Sequence, residues 1–265
     1  MLARAPGSVT GLFAPADGEG RSRGASFATE DGVVVEVTPA EKTTVTVDGD
    51  PTPFEPVELA LDELGVTAAV AVRPEVPLGH GFGASGAATL AAALAADATF
   101  DLGRDREALL GVAHRAEMAA GTGQGDVYIQ ERGGLCYSSA DGTGRVVPDE
   151  PVEYASVGGI DTGETLADEG LMDRFRRHGN EQIDALSDPP TMREFAERSR
   201  TLVRETGVAT EFVEAELRRV RDAGGAGSMA LFGDTVFAVG VEGVLDNRTR
   251  VAAEGARVLP GGEDV

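Results

Sequence analysis

The chain has 265 residues, 42% of them hydrophobic, enough for one large domain or two small ones around a core that needs no metal or disulfide staple. Its 45 acidic against 23 basic residues leave a net charge of -22, a surface that repels phosphate backbones and argues against a DNA or RNA partner. One cysteine, Cys136, excludes an internal disulfide and suits a reducing compartment such as the cytoplasm, and three scattered histidines offer no zinc set. Lys42 is the only lysine; so much acidic charge balanced almost wholly by arginine points to a protein adapted to a salty cytoplasm, where screening relieves self-repulsion. Met1 to Gly7 reaches Pro6 and Gly7 before an apolar stretch can form, and the Ala-rich run Ala87 to Ala96 is about half a membrane span, so neither a secretory signal nor membrane insertion is expected.

Taken in chain order, Ala25 to Val37, interrupted at Glu30-Asp31-Gly32, and Thr43 to Val47, before Asp48-Gly49, read as antiparallel strands with tight turns. Phe54 to Leu64 reads as a short amphipathic helix and Val66 to Val72 as an apolar strand. A glycine-rich loop follows, then an Ala-rich helix from Ala84 to about Ala96 and a second helix over Asp105 to Ala119. Val127 to Gln130 and Leu135 to Ser138 read as a strand pair around Gly133-Gly134, with Cys136 buried and inert. Beyond Pro148 and Pro151, a strand over Val152 to Val157 precedes helical stretches at Glu169 to Leu186, Thr191 to Thr206 and Thr210 to Ala223. An apolar pair, Ser228 to Phe232 and Thr235 to Val239, follows Gly224 to Gly227, and the tail from Val258 is expected to fray. The pattern predicts an α+β fold: a β-rich domain over 1–150 and a helix-rich domain over 151–265.

The run Pro77-Leu78-Gly79-His80-Gly81-Phe82-Gly83-Ala84-Ser85-Gly86 leads straight into a helix. Glycines let backbone approach a phosphate, and the free N–H groups and dipole of the helix attract negative charge, so this is an anion cradle. It lacks the lysine of a Walker loop. Gly81-x-Gly83-x-x-Gly86 matches a dinucleotide fingerprint, but Pro74 and Pro77 separate it from the strand and no acidic residue closes a second strand at the needed distance. His80, within the loop, is expected to be exposed, and His178, between Arg177 and Gly179, to complement a helix C-terminus.

His114 to Val127 supplies the other parts that phosphoryl transfer needs. Glu117 falls late in a helix, and Asp126 follows a glycine-rich turn that can aim it back toward that helix. Mg²⁺ favours one or two protein oxygens beside phosphates and water, which Glu117 and the Ser85 hydroxyl can provide. Taken alone, Glu117 also reads as a solvated helix face and Asp126 as a turn or cap residue.

The loop resembles the second motif, Pro-x-Gly-x-Gly-x-Gly-x-Ser, of the galactokinase, homoserine kinase, mevalonate kinase and phosphomevalonate kinase (GHMP) superfamily. Ala5-Pro6-Gly7 with Thr10-Gly11-Leu12-Phe13, and Gly224 to Met229, fall in that superfamily's order and extend the likeness over nearly the whole chain. The resemblance implies a two-domain kinase that uses ATP and Mg²⁺, with Pro77, Gly79, Gly81, Gly83, Ala84, Ser85 and Gly86 around the phosphates. It makes Ser85 and Glu117 the metal ligands and Asp126 the residue that orients or deprotonates the acceptor hydroxyl.

Within the superfamily, Ser22-Arg23-Gly24-Ala25, the Gly-Thr-Gly-x-Gly-Asp ending at Asp126, and Ser228-Met229 with Thr235 to Gly240 resemble archaeal-type pantoate kinases. That likeness implies phosphorylation of the terminal hydroxyl of pantoate in coenzyme A synthesis, with Ser22, Arg23, His114 and Thr162 in the acceptor pocket. One departure stands out: where the pattern leads to an arginine after the Gly133-Gly134 strand, this chain has Ser138-Ser139. Arg23 or Arg145 would then hold the substrate carboxylate, or the substrate differs. Other small-molecule kinases of the superfamily and a non-catalytic ATP- or metabolite-binding relative are the alternatives, and the oligomeric state, a homodimer included, is left open.

Overall fold

The computed structural model describes residues 1–16, 22–123, 125–139, 142–159 and 168–260. The fold is α+β, with two mostly antiparallel sheets. The first is organised by two long strands, β1 (Leu2–Ala14) and β2 (Arg23–Pro39), paired antiparallel over nearly their whole length. β1 escapes the sequence reading because Pro6, Gly7 and Gly11 disguise it. The expected turn at Glu30-Asp31-Gly32 is a bulge within the continuous β2: Pro6 faces Gly32 and Gly7 faces Thr29, so Glu30 and Asp31 are looped out. Gly32 is required there, since a Cβ would stand 2.1 Å from the Ala5 carbonyl oxygen.

β2 serves different partners along its length. Val33 to Pro39 pair with β5 (Ala68–Pro74), and Ala25 to Phe27 pair with β6 (Leu135–Ser139), which continues into β7 (Gly142–Val146). β3 (Thr44–Val47) runs parallel to β5 rather than antiparallel, and β4 (Asp50–Pro51) closes that edge after a turn in which Asp48 and Gly49 take positive φ. The second sheet has the order β11 (Asn247–Arg250), β8 (Pro151–Gly159), β10 (Gly233–Val239), β9 (Ala226–Met229). The chain then returns to the first sheet, where β12 (Arg257–Val258) pairs with β1.

Three helices, α1 (Glu55–Leu64), α2 (Ala84–Phe100) and α3 (Arg106–Ala120), pack together, and α2 lies against β1 and β2. α2 is buried on every side from Ala84 through Ala96 apart from Ser85, which its alanines permit because small side chains let a helix sit between sheet and helices without displacing either. The stretch over 127–130, expected as a strand, is helix α4 (Asp126–Arg132). β-Branched Val127 and Ile129 beside Tyr128 favour a strand by composition, but glycines bracket the segment and Gln130 turns inward, one turn after Asp126, and is fully buried.

α5 (Glu169–Asp184), α6 (Met192–Thr206) and α7 (Glu211–Asp222) start at Asp168, Thr191 and Thr210, each of whose side chains accepts a backbone N–H three residues on. His178 lies inside α5, with Nδ1 3.2 Å from Glu181, and not at its C-terminus as expected. One buried apolar cluster runs through both sheets; Phe27 of β2, Phe195 of α6 and Phe237 of β10 meet with ring centroids 5.4 to 6.0 Å apart. Among the described residues no helix is long and apolar enough to cross a membrane.

Candidate active site

Gly79, Gly81 and Gly83 all take positive φ, so the loop before α2 has a backbone path that other residues resist. It is clamped from both sides. Ser8 of β1 donates its N–H to the Phe82 carbonyl at 2.7 Å, and the Phe82 ring packs edge-on against Tyr154 of β8. His80 is half-buried rather than exposed, correcting the sequence expectation: Nδ1 is 2.6 Å from Ser156 Oγ, and its carbonyl accepts from the Thr235 hydroxyl at 2.7 Å. Gly83 ends the loop as the N-cap of α2 with no side chain capping it, so the first N–H groups of that helix face outward. Pro77 is exposed at the loop entrance, and Gly86 is buried where α4 crosses, its absent side chain leaving room for Gln130 and Val127.

α3 carries Glu117 to the side of this terminus. Its carboxylate is only 3% exposed, not a solvated helix face, and accepts from Ser85 Oγ at 2.9 Å, Thr89 Oγ1 at 2.7 Å and Thr122 Oγ1 at 2.8 Å. Burial pushes its pKa up, the three hydroxyls pull it down, and nearby Asp126 adds a further upward push. Asp126 opens α4, with Oδ1 accepting from Ser8 Oγ at 2.8 Å. Burial raises its pKa too, against the Ser8 bond. The two acids approach across Gly123, where a Cβ would lie 3.1 Å from Glu117 Oε2 and 3.8 Å from Asp126 Oδ2. One turn after Asp126, Gln130 donates to the Gly83 carbonyl at 2.7 Å and ties α4 to the loop.

Asp126, Ser85, Thr122 and Gly123 line one end of a cavity of about 640 Å³, together with Gly79, Gly81, Gly83 and Ala84, and Glu117 lies just behind Ser85 and Thr122. At its other end Thr10 and Ser26 share a hydrogen bond of 2.8 Å, and the wall includes Ser22, Arg23, His114, Tyr128 and Ser138. Arg23 donates to Asn180 at 2.8 Å and Asp184 at 2.7 Å. His114 tilts against the Tyr128 ring at 5.0 Å, and its Nδ1 is buried without a partner among the described residues. Burial, and then the neighbouring Arg115, lower its pKa, so the neutral imidazole is favoured. Thr162 lies outside the described residues.

Arg145 does not face the cavity: its Nε donates to the carbonyls of Arg132 and Gly133 at 3.1 and 2.9 Å, and its Nη2 donates to the Ala253 carbonyl. Ser138 accepts the Gly24 N–H at 3.1 Å. Cys136 is buried on the cavity wall with its thiol pKa raised by desolvation, as an inert thiol requires. Ser8, Gln130, the His80 clamp and Arg132 were not found from sequence; only Gln130, one helical turn from Asp126, carried a local signal.

Residues 54–134 match the family model for the N-terminal domain of GHMP kinases. Over 258 residues the chain is 24% identical to a pantoate kinase of Methanospirillum hungatei, with 91% of this chain and 87% of that one covered. Among solved structures it is similar to a phosphotransferase related to the CoA biosynthesis pathway, with a TM-score of 0.84 at 21% identity over 99% of this chain and 100% of the other. A homoserine kinase of Cytophaga hutchinsonii gives a TM-score of 0.66 at 16% identity, with 98% and 97% covered. The chain therefore has the fold of the GHMP kinases, and the segment that holds its glycine loop and both buried acids matches their N-terminal domain.

Proposed function

We propose that this protein is an ATP-dependent kinase that phosphorylates the terminal hydroxyl of pantoate to 4-phosphopantoate, within the synthesis of coenzyme A and in the cytoplasm. The observation that carries the reading is the meeting of two differently held acids, Glu117 on Ser85 and Asp126 on Ser8, at the N-terminus of α2. The loop and the free N–H groups of α2 bind the phosphates of ATP and hold the γ-phosphoryl group in place. The acceptor hydroxyl lies against Asp126 Oδ2, the oxygen not engaged by Ser8. As the hydroxyl oxygen bonds to the γ-phosphorus and the bond to the β,γ-bridging oxygen breaks, Asp126 takes the hydroxyl proton and later releases it to solvent. Desolvation suits that task, because a carboxylate with raised pKa holds a proton better.

Ser85 Oγ and Glu117 Oε1, 2.9 Å apart beside the cavity, are hard oxygens of the kind Mg²⁺ prefers. Among the described residues no three acidic, imidazole or thiol groups converge, so phosphates and water would complete the shell. When bound, Mg²⁺ neutralises charge on the β- and γ-phosphates. Ser22, Arg23, His114 and Thr162 form the acceptor pocket in this reading.

Ser138 is the observation that favours another acceptor, since it stands where the resemblance leads to an arginine. The test is a substrate panel with purified protein, ATP and Mg²⁺. Pantoate should have the highest kcat/KM, well above mevalonate, homoserine, shikimate and galactose, because polar groups shaped for one acceptor are left unpaired by the others. Pantothenate, which keeps the reacting hydroxyl but replaces the carboxylate by an amide, should be poor. If pantothenate matches pantoate, or another alcohol outruns both, the substrate assignment fails; ATP binding without turnover of any alcohol would point to a sensor.

A further inference from the structure

The acceptor end of the cavity poses a charge problem. The chain carries a net charge of -22, and a carboxylate-bearing alcohol must be held there against that field, which calls for a cation not already neutralised. Among the described residues, three side chains able to carry positive charge line the cavity: Arg23, His114 and Arg132. Arg23 is committed to Asn180 and Asp184, and burial favours the neutral form of His114. Arg145, the other arginine near the Gly133-Gly134 turn, spends its donors on backbone carbonyls. Arg132 has no side-chain hydrogen bond or ion pair among the described residues.

Its placement fits the need. Arg132 ends α4, and Tyr128 and Ile129, four and three residues earlier, line the same cavity, so one stripe of the helix faces it. On β6, Cys136 and Ser138 share a face by strand alternation, and both line the cavity. The charges of both Arg132 and Arg145 reach the Cys136 thiol and oppose the effect of burial there, and of the two it is Arg132 that lines the cavity beside Cys136.

Resting on the kinase reading above, we propose that Arg132 is the cation that holds the carboxylate of the acceptor, doing from the end of α4 what an arginine at position 138 would do from β6. A guanidinium grips a carboxylate through two parallel N–H donors. Because the grip is on a group remote from the reacting hydroxyl and persists from substrate to product, its loss falls on acceptor KM more than on kcat.

The test is steady-state kinetics on wild type, Arg132→Gln, Arg132→Lys and the double variant Arg132→Gln/Ser138→Arg. Arg132→Gln should raise KM for pantoate by about 10- to 100-fold, the usual loss for a hydrogen bond to a charged group, with KM for ATP unchanged. Arg132→Lys should recover part of the loss, and Ser138→Arg in the Gln background should restore acceptor affinity by returning the charge to the same face. If Arg132→Gln proves too unstable to assay, the Lys variant alone decides, since it keeps charge but not the two-pronged grip and should still raise pantoate KM selectively. An unchanged pantoate KM, or a matching rise in ATP KM, overturns the assignment of Arg132 while wild-type turnover of pantoate leaves the kinase reading standing. No turnover of pantoate by wild type overturns both.

Discussion

The two ends of the cavity differ in how their charged groups are held. At the phosphate end each acid is answered by the protein: Ser85, Thr89 and Thr122 hold Glu117, and Ser8 holds Asp126, while Gln130 donates to the loop carbonyl of Gly83 and keeps its own Oε1 buried without a partner among the described residues. At the acceptor end, His114 Nδ1 is buried with no partner and Arg132 faces the cavity unpaired among the described residues. A site whose acids are held beforehand is rigid and suits chemistry common to many substrates, whereas groups without a protein partner, such as the exposed Arg132, are free to give their donors to a ligand. In the proposed kinase reading, the contrast separates the end that would perform the transfer from the end that would choose what receives it.

The sharpest way to break this contrast is at Asp126. Asp126→Asn should lower kcat by at least ~100-fold, the lower range for loss of a general base, with ATP KM unchanged. Near-normal turnover would remove Asp126 from the mechanism. The acid limb of kcat/KM should lie above the ordinary aspartate value of about 4, because burial disfavours the ionised carboxylate. Ser8→Ala should move that limb further up, since the Ser8 hydrogen bond stabilises the charged form.

Rigidity itself is tested at Gly83, whose φ is +59° and whose Cβ would stand 2.3 Å from Ser8 Oγ. Gly83→Ala should displace Ser8 and Asp126 together and cost on the order of 100-fold in kcat, the scale for a misplacement of about 1 Å. Glu117→Gln should raise the Mg²⁺ concentration needed for half-maximal rate by roughly 10- to 100-fold, the scale at which disturbing a metal site weakens affinity. The same variant should melt no lower than wild type at neutral pH. A carboxyl whose folded pKa is raised binds its proton more tightly folded than unfolded, so its contribution to stability falls as pH rises from the unfolded value through the folded one. Glutamine removes that ionisation cost, and a clear drop in Tm would contradict it.

At the acceptor end a smaller change is expected. His114→Gln should raise pantoate KM by no more than about 10-fold, the range for one neutral hydrogen bond, and leave ATP KM alone. Smallest of all is the response to salt: with a net charge of -22, Tm should climb by a few degrees, roughly the effect of 1 kcal/mol, between dilute buffer and molar KCl. A flat or falling Tm would argue against adaptation to a salty interior.

Much of the fold was legible because its signals are local. α5, α6 and α7 each begin at a capping Asp or Thr and carry a one-sided apolar stripe, and their ends fall within two residues of expectation. α2 was legible as a helix from its alanines, but its burial on all sides leaves no stripe to say what it packs against. α4 was misread because seven residues are too few for a helical period to outweigh β-branched composition. β1 was missed because its proline and glycines, which read as loop, meet a bulged partner that only pairing reveals.

The sequence by itself determined the glycine loop ahead of α2, singled out Ser85, Glu117 and Asp126, which the structure brings together, and set the acidic charge, since each rests on residue chemistry or on spacings of a few positions. Only the tertiary structure decided that Ser8 holds Asp126 across 118 positions of chain, that His80 fastens the loop to the second sheet, and that Arg132 rather than Arg145 faces the cavity. The physical reason is that such contacts follow from strand register and helix packing, where a shift of one residue sends a side chain to the opposite face, and nothing in a short window of sequence encodes that choice.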